Sequence, residues 1–151
     1  MTRAYRLCPK RHPANSGKGA ALTGGRWNTI GTEVIYASSR AALSLAEVVV
    51  HFAAELPDDY VLTEIQIPET VPIERVPDDK LPANWDALTD KPEPPEFGGR
   101  WARELRTCVL SVPSCIVPTE RNFVINPAHP NFAAIQFLPS QPFGFDPRLK
   151  R

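Results

Sequence analysis

The chain has 151 residues, of which 42% are apolar, and its 17 Lys and Arg residues balance its 17 Asp and Glu residues. This composition predicts one folded domain, and the zero net charge gives no electrostatic reason to expect binding to nucleic acid or to an anionic membrane. The 17 prolines predict short elements joined by rigid, extended connections rather than a helix bundle.

The three cysteines, Cys8, Cys108 and Cys115, are an odd number and include no C-x-x-C pair. We therefore expect neither a disulfide framework nor a structural zinc site, and interpret the thiols as small buried groups in a reducing compartment. The N-terminal residues lack the apolar run of a signal peptide, and no stretch reaches the roughly 18 apolar residues of a membrane span. The sequence predicts a cytoplasmic protein.

The first half of the chain predicts alternating strands and helices. In order, we expect a strand at Ala4–Leu7, a polar loop at Cys8–Gly25, a strand at Val34–Tyr36, a helix over Arg40–Ala53 and a strand at Tyr60–Ile67. Ser38 or Ser39 is placed to cap the helix. The last strand has the most regular pattern, because its apolar residues alternate onto one face.

Residues 68–95 are rich in proline and acidic residues, and we interpret them as a long surface excursion with little regular structure and a short turn near Trp85. The remaining chain predicts a helix at Arg100–Thr107 and strands at Val109–Val112, Cys115–Val117, Phe123–Ile125 and Ala134–Phe137, followed by a tail. This order of elements predicts an α+β fold, in a single domain over residues 1–151.

The helix around "SSRAALSLAEVVVHF" is apolar nearly all round, which predicts burial on several sides. Its polar residues, Arg40, Ser44, Glu47 and His51, fall within about 60° on a helical wheel. A stripe this narrow fits the floor of a cleft better than a solvated edge. Glu47 and His51 are four residues apart, so they are expected to be neighbours on consecutive turns.

The tetrapeptide GGRW occurs twice, at Gly24–Trp27 and Gly98–Trp101. Gly-Gly allows close approach of the backbone to a ligand, and an arginine offers a planar fork to an anion. Only the first copy leads through a strand with Tyr36 into the helix with Glu47, so Arg26, Tyr36 and Glu47 can meet at one mouth. We interpret the second copy as coincidental, with Trp101 in the core and Arg100 in solvent.

The segments "GGRWNTIGTEVIYASSRAALSLAEVVVH" and "VPSCIVPTERNFVINPAHPNF" closely resemble the RES family, commonly toxins of bacterial toxin–antitoxin pairs. The resemblance implies an ADP-ribosyltransferase-like α+β domain of short strands with a central buried helix. It also implies that NAD is bound and cleaved as a substrate, with no cofactor and no metal. By motif position, Arg26 would hold the phosphates, Tyr36 would pack against the nicotinamide, and Glu47 would be the catalytic carboxylate.

The serine of the family motif best matches Ser114, with Ser111 as the second choice. The resemblance places His51 in the same pocket, one turn beyond Glu47. Asn122 and Asn126 are weaker candidates for substrate binding, because turns and strand ends also explain them.

The implied protein is a type II toxin that depletes NAD by cleaving its nicotinamide–ribose bond, by hydrolysis or phosphorolysis. The alternatives are a protein ADP-ribosyltransferase, a ribonuclease using Arg26, Glu47 and His51, or a catalytically inert interaction module. A cleaved glycosidic bond develops positive charge on the ribose, which a carboxylate stabilises. The resemblance further implies an Xre-like antitoxin as partner, and we expect neither membrane nor direct nucleic-acid binding.

Overall fold

The computed structural model describes residues 1–88 and 93–150, so positions 89–92 of the predicted surface excursion lie outside the described residues. The strands are β1 (Thr2–Pro9), β2 (Ile35–Ser38), β3 (Tyr60–Ile67), β4 (Ile73–Arg75), β5 (Val109–Pro113), β6 (Arg121–Ile125), β7 (Gln136–Phe137) and β8 (Gln141–Phe143). The helices are α1 (Lys18–Thr23), α2 (Ala41–Val49) and α3 (Glu93–Arg103). The α+β prediction is confirmed.

All eight strands join one mixed sheet in the order β4-β5-β6-β2-β1-β3-β7, and β8 also pairs with β3. Neighbouring strands are antiparallel except β4 and β5, which are parallel. β1 and β3 pair over their whole length, whereas β1 and β2 pair only at Tyr5 and Ser38. The predicted alternation of β3 is confirmed, since every second side chain of this strand is buried.

Each face of the sheet carries its own apolar cluster, because successive residues of a strand point to opposite sides. Phe123 and Ile125 of β6 belong to one cluster, together with Ile35 and Ile65. Val124 faces the other side and belongs to a second cluster, which contains Trp27, Val34, Trp101, Leu110 and Val112. This second face is the one that carries the candidate site.

The sequence misses three elements, places the helix α3 too late in the chain and assigns one strand wrongly. The strand β8 lies in the predicted tail. α1 lies in the predicted polar loop, and β4 extends the sheet from within the predicted excursion. The predicted strand at Cys115–Val117 is a bend instead, because the backbone N–H groups of Ile116 and Val117 turn back to the hydroxyl of Ser114. A side chain that bonds its own backbone in this way competes with strand pairing.

Helix α2 is shorter and less enclosed than predicted. It begins after Arg40, which caps it without a side-chain hydrogen bond, so the predicted serine cap is wrong. It ends at Val49, beyond which the chain tightens into bonds between residues three apart, from His51 N to Val48 O and onward. It packs on β1 and β2, but only Leu43 and Ser44 are fully buried.

The second GGRW copy lies inside α3 and packs against the first. A Cβ at Gly98 would stand 1.8 Å from the backbone oxygen of Trp27, so only glycine permits this approach. The ring of Phe97 meets that of Trp27 edge-on at 6.1 Å, and Trp101 is fully buried beside it. The placement of Trp101 in the core and of Arg100 in solvent is confirmed.

No helix among the described residues is both long and apolar enough to cross a bilayer.

The contact at Gly98 predicts opposite effects for two neighbouring substitutions. Gly98→Ala should lower the free energy of unfolding by about 2–3 kcal/mol, because its methyl group overlaps the carbonyl of Trp27. Gly99→Ala should be neutral or stabilising by up to about 1 kcal/mol, because alanine favours a helix and its methyl group meets mainly the mobile end of Arg103. Urea unfolding of both variants measures the difference, and equal stability would contradict the packing.

Candidate active site

Glu47, near the end of α2, directs its carboxylate to the region where β5 ends and β6 begins. Its Oε1 accepts a hydrogen bond of 2.6 Å from the hydroxyl of Ser114 and another of 2.6 Å from the amide Nδ2 of Asn122. Its Oε2 accepts no hydrogen bond from residues 1–88 or 93–150. One oxygen therefore fixes the carboxylate, and the other takes no part in this anchoring.

Ser114 is fully buried and its orientation is fully determined. Its Oγ accepts the backbone N–H groups of Ile116 and Val117, both at 3.0 Å. The single hydroxyl proton is therefore left to be donated to Glu47. The alternative serine, Ser111, faces the opposite side of the sheet, where its Oγ accepts from Arg121 Nε at 3.1 Å. The structure thus brings Ser114 to the site and not Ser111.

Asn122 is held by Ser38, which the sequence indicated only as a possible helix cap. The Ser38 hydroxyl donates to Asn122 Oδ1 at 2.7 Å, so the amide must present its NH₂ group to Glu47. The hydrogen bonds of these four side chains converge on Glu47 Oε1, from Ser38 through Asn122 on one side and from Ser114 on the other. Asn126, the other asparagine candidate, is buried elsewhere and donates to Ala102 O.

Tyr36 anchors the first GGRW loop to β2. Its hydroxyl donates to Asn28 Oδ1 at 2.5 Å and accepts the backbone N–H of Trp27 at 3.0 Å. A Cβ at Gly25 would stand 2.7 Å from this hydroxyl, so glycine is required there. Burial raises the pKa of Tyr36 far above its usual value, while the hydrogen bond from Trp27 and the charge of Arg26 act in the opposite sense.

Asn28 fixes the shape of the same loop, and sequence reasoning did not single it out. It is 1% exposed, and its Nδ2 donates to Ala20 O at 2.9 Å and to Thr32 O at 3.0 Å. The sequence offered one indication of this role, which is the position of Asn28 directly after GGRW. Its hydrogen bonds reach backbone on both sides of the loop, so they could not be predicted without the conformation of the whole loop.

Arg26 is exposed at the tip of the loop, and Nη1 donates to two backbone oxygens of a distant segment, Trp85 O at 2.6 Å and Ala87 O at 3.1 Å. The charge of Arg26 also reaches Cys115, which follows Ser114. Burial raises the pKa of the Cys115 thiol, Arg26 lowers it, and the carboxylates of Glu47 and Asp86 raise it.

Cys115 lies between Arg26 and Glu47, because its thiol and Arg26 contact the same oxygen of Trp85 and its neighbour Ser114 donates to Glu47. The sequence predicts a small buried group at this position, but the thiol is only half-buried. Arg26 lowers its pKa and Glu47 raises it. Arg26 in turn acts on the hydroxyl of Tyr36. Tyr36 belongs to the same neighbourhood through the loop that carries Arg26, which its hydroxyl anchors at Trp27 and Asn28.

His51 is not part of this arrangement. It follows the end of α2, is exposed, and its side chain makes no hydrogen bond to the described residues. The tightened final turn replaces the regular spacing that was expected to pair His51 with Glu47. His129, in NPAHP, closes a turn by accepting the N–H of Asn131 on Nδ1, which is a structural role.

Two open hollows lie elsewhere on the surface, one of about 460 Å³ beside Phe145 and one of about 360 Å³ beside Phe97. Neither is lined by Arg26, Tyr36 or Glu47. We identify the site by its charged and hydrogen-bonded groups, because a reaction needs such groups. A hollow that lacks them gives no indication of chemistry.

Comparison with known proteins now defines the family. The model of the RES domain matches residues 3–146. The chain belongs to the RES domain family. It is 42% identical to the "Prs ADP-ribosylating toxin" of Sphingobium sp. strain YBL2, over 90% of this chain and 86% of that protein. It is 38% identical to "Toxin Res" of Photorhabdus laumondii, over 96% and 95% of the two chains.

A solved structure shares the fold of this chain. The chain resembles one in the crystal structure of the M. tuberculosis MbcT–MbcA toxin–antitoxin complex, with a TM-score of 0.74 and 20% identity, over 98% of this chain and 86% of that one. At this identity, the comparison supports the fold alone.

The raised pKa of Tyr36 predicts a pH-dependent stability of definite sign. As the pH rises through about 10, tyrosines of the unfolded chain ionise while Tyr36 keeps its proton in the folded protein. The unfolded state then binds fewer protons, so the free energy of unfolding falls, by roughly 1.4 kcal/mol per pH unit for one such group.

Tyr36→Phe should make this fall above pH 10 shallower. At pH 7 the variant should already be less stable by about 1–2 kcal/mol, because the N–H of Trp27 loses its acceptor. Urea unfolding of both proteins between pH 7 and about pH 11 is the measurement. Parallel stability curves across the alkaline range would show that Tyr36 does not contribute as described.

Proposed function

We propose that this RES domain is the toxin of a bacterial type II toxin–antitoxin system and that it cleaves the nicotinamide–ribose bond of NAD. The observation that carries the proposal is the carboxylate of Glu47, which Ser114 and Asn122 fix through Oε1 and which the contacts of Ser114, Cys115 and Trp85 connect to Arg26. Relatives named as toxins, one of them as ADP-ribosylating, support the same conclusion.

The chemistry assigned to Glu47 follows from its geometry. As the bond between C1′ of the ribose and the nicotinamide nitrogen breaks, its electron pair leaves with neutral nicotinamide, and positive charge develops on the ribose. Oε2, which is not used in fixing the carboxylate, stabilises this charge or holds a ribose hydroxyl as the charge develops. Ser114 and Asn122 orient the carboxylate by neutral hydrogen bonds and leave its negative charge intact. A nucleophile then attacks C1′.

Arg26 and Tyr36 are assigned to substrate binding. The pyrophosphate of NAD carries negative charge, and a guanidinium offers it two parallel hydrogen bonds. The hydroxyl of Tyr36 is already engaged by Asn28 and Trp27, so its contribution to nicotinamide binding rests on the ring. A tyrosine ring attracts the cationic nicotinamide of NAD and loses this attraction once nicotinamide leaves neutral.

The identity of the nucleophile separates three versions of the proposal. Water gives hydrolysis, phosphate gives phosphorolysis, and a protein side chain gives ADP-ribosyl transfer. The name of the Sphingobium relative favours the third version as the main alternative. The ribonuclease alternative loses support, because His51 lies outside the network around Glu47.

We also propose that the toxin has an antitoxin partner. A solved structure that shares the fold of this chain is a toxin–antitoxin complex, and relatives of this chain carry the name Toxin Res. The resemblance in motifs makes an Xre-like antitoxin the expected type. Three free cysteines agree with action in the cytoplasm, where NAD is available.

Glu47→Gln should abolish NAD consumption while preserving the fold. The amide oxygen of glutamine can still accept both hydrogen bonds, so the substitution removes mainly the negative charge. Loss of one electrostatic partner of the transition state typically costs roughly 10²–10³-fold in rate. Chromatography of nicotinamide released from NAD by the purified protein measures the effect.

Glu69→Gln provides the matched control, since Glu69 is exposed and pairs only with the N-terminal amine. It should release nicotinamide at the wild-type rate. NAD labelled in its adenylate half, incubated with cell extract, shows whether ADP-ribose ends on a protein or in solution. The proposal fails if Glu47→Gln and the wild type release nicotinamide equally, or if neither releases any in either assay.

A further inference from the structure

Residues 82–88 form a segment, which we call the strap, that crosses over the guanidinium of Arg26. The strap consists of two successive turns, closed by hydrogen bonds from Trp85 N to Pro82 O at 3.2 Å and from Ala87 N to Asn84 O at 3.1 Å. Both carbonyls that face Arg26, those of Trp85 and Ala87, belong to the strap. The strap therefore contacts the loop of the candidate site although the two are about sixty residues apart in the chain.

The strap occupies one end of the guanidinium and leaves one edge open. An arginine has five N–H donors, of which Nη1 provides two. Both are directed to the carbonyls of Trp85 and Ala87. Nε and Nη2 donate to no residue among 1–88 and 93–150. These two nitrogens lie along the same edge, where their parallel N–H bonds match two oxygens of a phosphate.

The strap is itself anchored to the core. The side chain of Trp85 is half-buried and packs against the cluster that contains Trp27 and Trp101. The thiol of Cys115 lies 3.9 Å from the same Trp85 oxygen that receives Arg26. Asn84, by contrast, is exposed and adopts a left-handed backbone conformation with φ of 58°. Asn84 therefore shapes the turn without touching the site or the core.

We propose that the strap is a positioning device for Arg26, which fixes the Nε–Nη2 edge as the edge that receives a phosphate of the substrate. This inference rests on the proposed function, which assigns a dinucleotide to the site. A mobile arginine loses considerable side-chain entropy when it binds a ligand. Because the strap already orders Arg26, this cost does not fall on the binding step. The strap therefore contributes to binding and not to the step at Glu47.

Substitutions of Asn84 test the strap through a split between KM and kcat. Asn84→Val places a β-branched residue at positive φ and should disorder the turn, whereas Asn84→Gly accepts this conformation without strain. We expect Asn84→Val to raise KM for NAD and Kd for ADP-ribose roughly tenfold at unchanged kcat. Asn84→Gly should stay within about twofold of wild type, as the conservative rescue.

A second measurement tests the contact without any activity. Trp27 and Trp101 are 3% and 0% exposed, so quenching of tryptophan fluorescence by acrylamide reports mainly on Trp85. Arg26→Ala should loosen the strap, although the packing of Trp85 still tethers it to the core, and increase quenching about twofold, since the two carbonyls lose their donor. Arg100→Ala removes the exposed arginine of the second GGRW copy and should leave quenching unchanged.

The two measurements separate the inference from the proposed function. Increased quenching in Arg26→Ala without any NAD cleavage by the wild type would support the strap and overturn the proposed function. Normal cleavage of NAD, with unchanged quenching in Arg26→Ala or unchanged KM in Asn84→Val, would overturn the strap and leave the function standing. A fall in kcat at constant KM in Asn84→Val would also overturn the assignment to binding.

Discussion

The register of β2, β6 and β5 is the constraint on which the candidate site depends. Ser38 pairs with Asn122, and Asn122 pairs with Val112, so these positions share one face of the sheet. From that face Asn122 reaches Glu47 on α2. A slip of one residue would turn Asn122 to the opposite face and leave the carboxylate with a single partner. The many buried β-branched residues of these strands therefore stabilise the site as well as the sheet.

Strand β2 connects the two halves of the site, because Tyr36 and Ser38 are two residues apart and face the same side. Tyr36 holds the GGRW loop through its hydroxyl, and Ser38 holds Asn122. The loop that carries Arg26 and the amide that orients Glu47 thus depend on one short strand. This arrangement explains how a polar loop and a half-buried helix keep a fixed relation to each other.

The sequence predicts the features that local patterns encode, and the structure shows where those patterns end. The alternation of β3 and the grouping of Arg26, Tyr36 and Glu47 follow from spacing along neighbouring elements. Ser38 illustrates the limit, since a serine before a helix has a local use as a cap and a distant use 84 residues away. Local sequence patterns favour the role as a helix cap, and only the register of the sheet reveals the hydrogen bond to Asn122.

The sequence predicts the turn near Trp85 and the burial of Trp101, but the contacts that the strap and the second GGRW copy make escaped sequence reasoning for one reason. Gly98 is required by the carbonyl of Trp27, and the turn around Trp85 is required by Arg26, but neither partner is near in sequence. A proline-rich segment predicts extended backbone, and its carbonyls give no sign of what they will accept. Such contacts become visible only when the two segments are placed together.

Neutral partners hold both charged groups of the site, and this choice bears on what the site can do. Arg26 donates to backbone carbonyls, and Glu47 accepts from a hydroxyl and an amide. The ion pairs within residues 1–88 and 93–150 involve neither of them. A salt bridge between Arg26 and Glu47 would orient both side chains equally well, but each charge would then be satisfied by the other.

Holding the two charges by neutral groups keeps them separate and available. A substrate that is anionic at its phosphates and becomes cationic at its ribose needs one charge of each sign at different places along its length. The strap holds the guanidinium of Arg26 through two backbone carbonyls, while Ser114 and Asn122 hold the carboxylate of Glu47 through a hydroxyl and an amide. In the proposed reaction, the protein therefore orients both charges before the substrate arrives and leaves their neutralisation to the substrate itself.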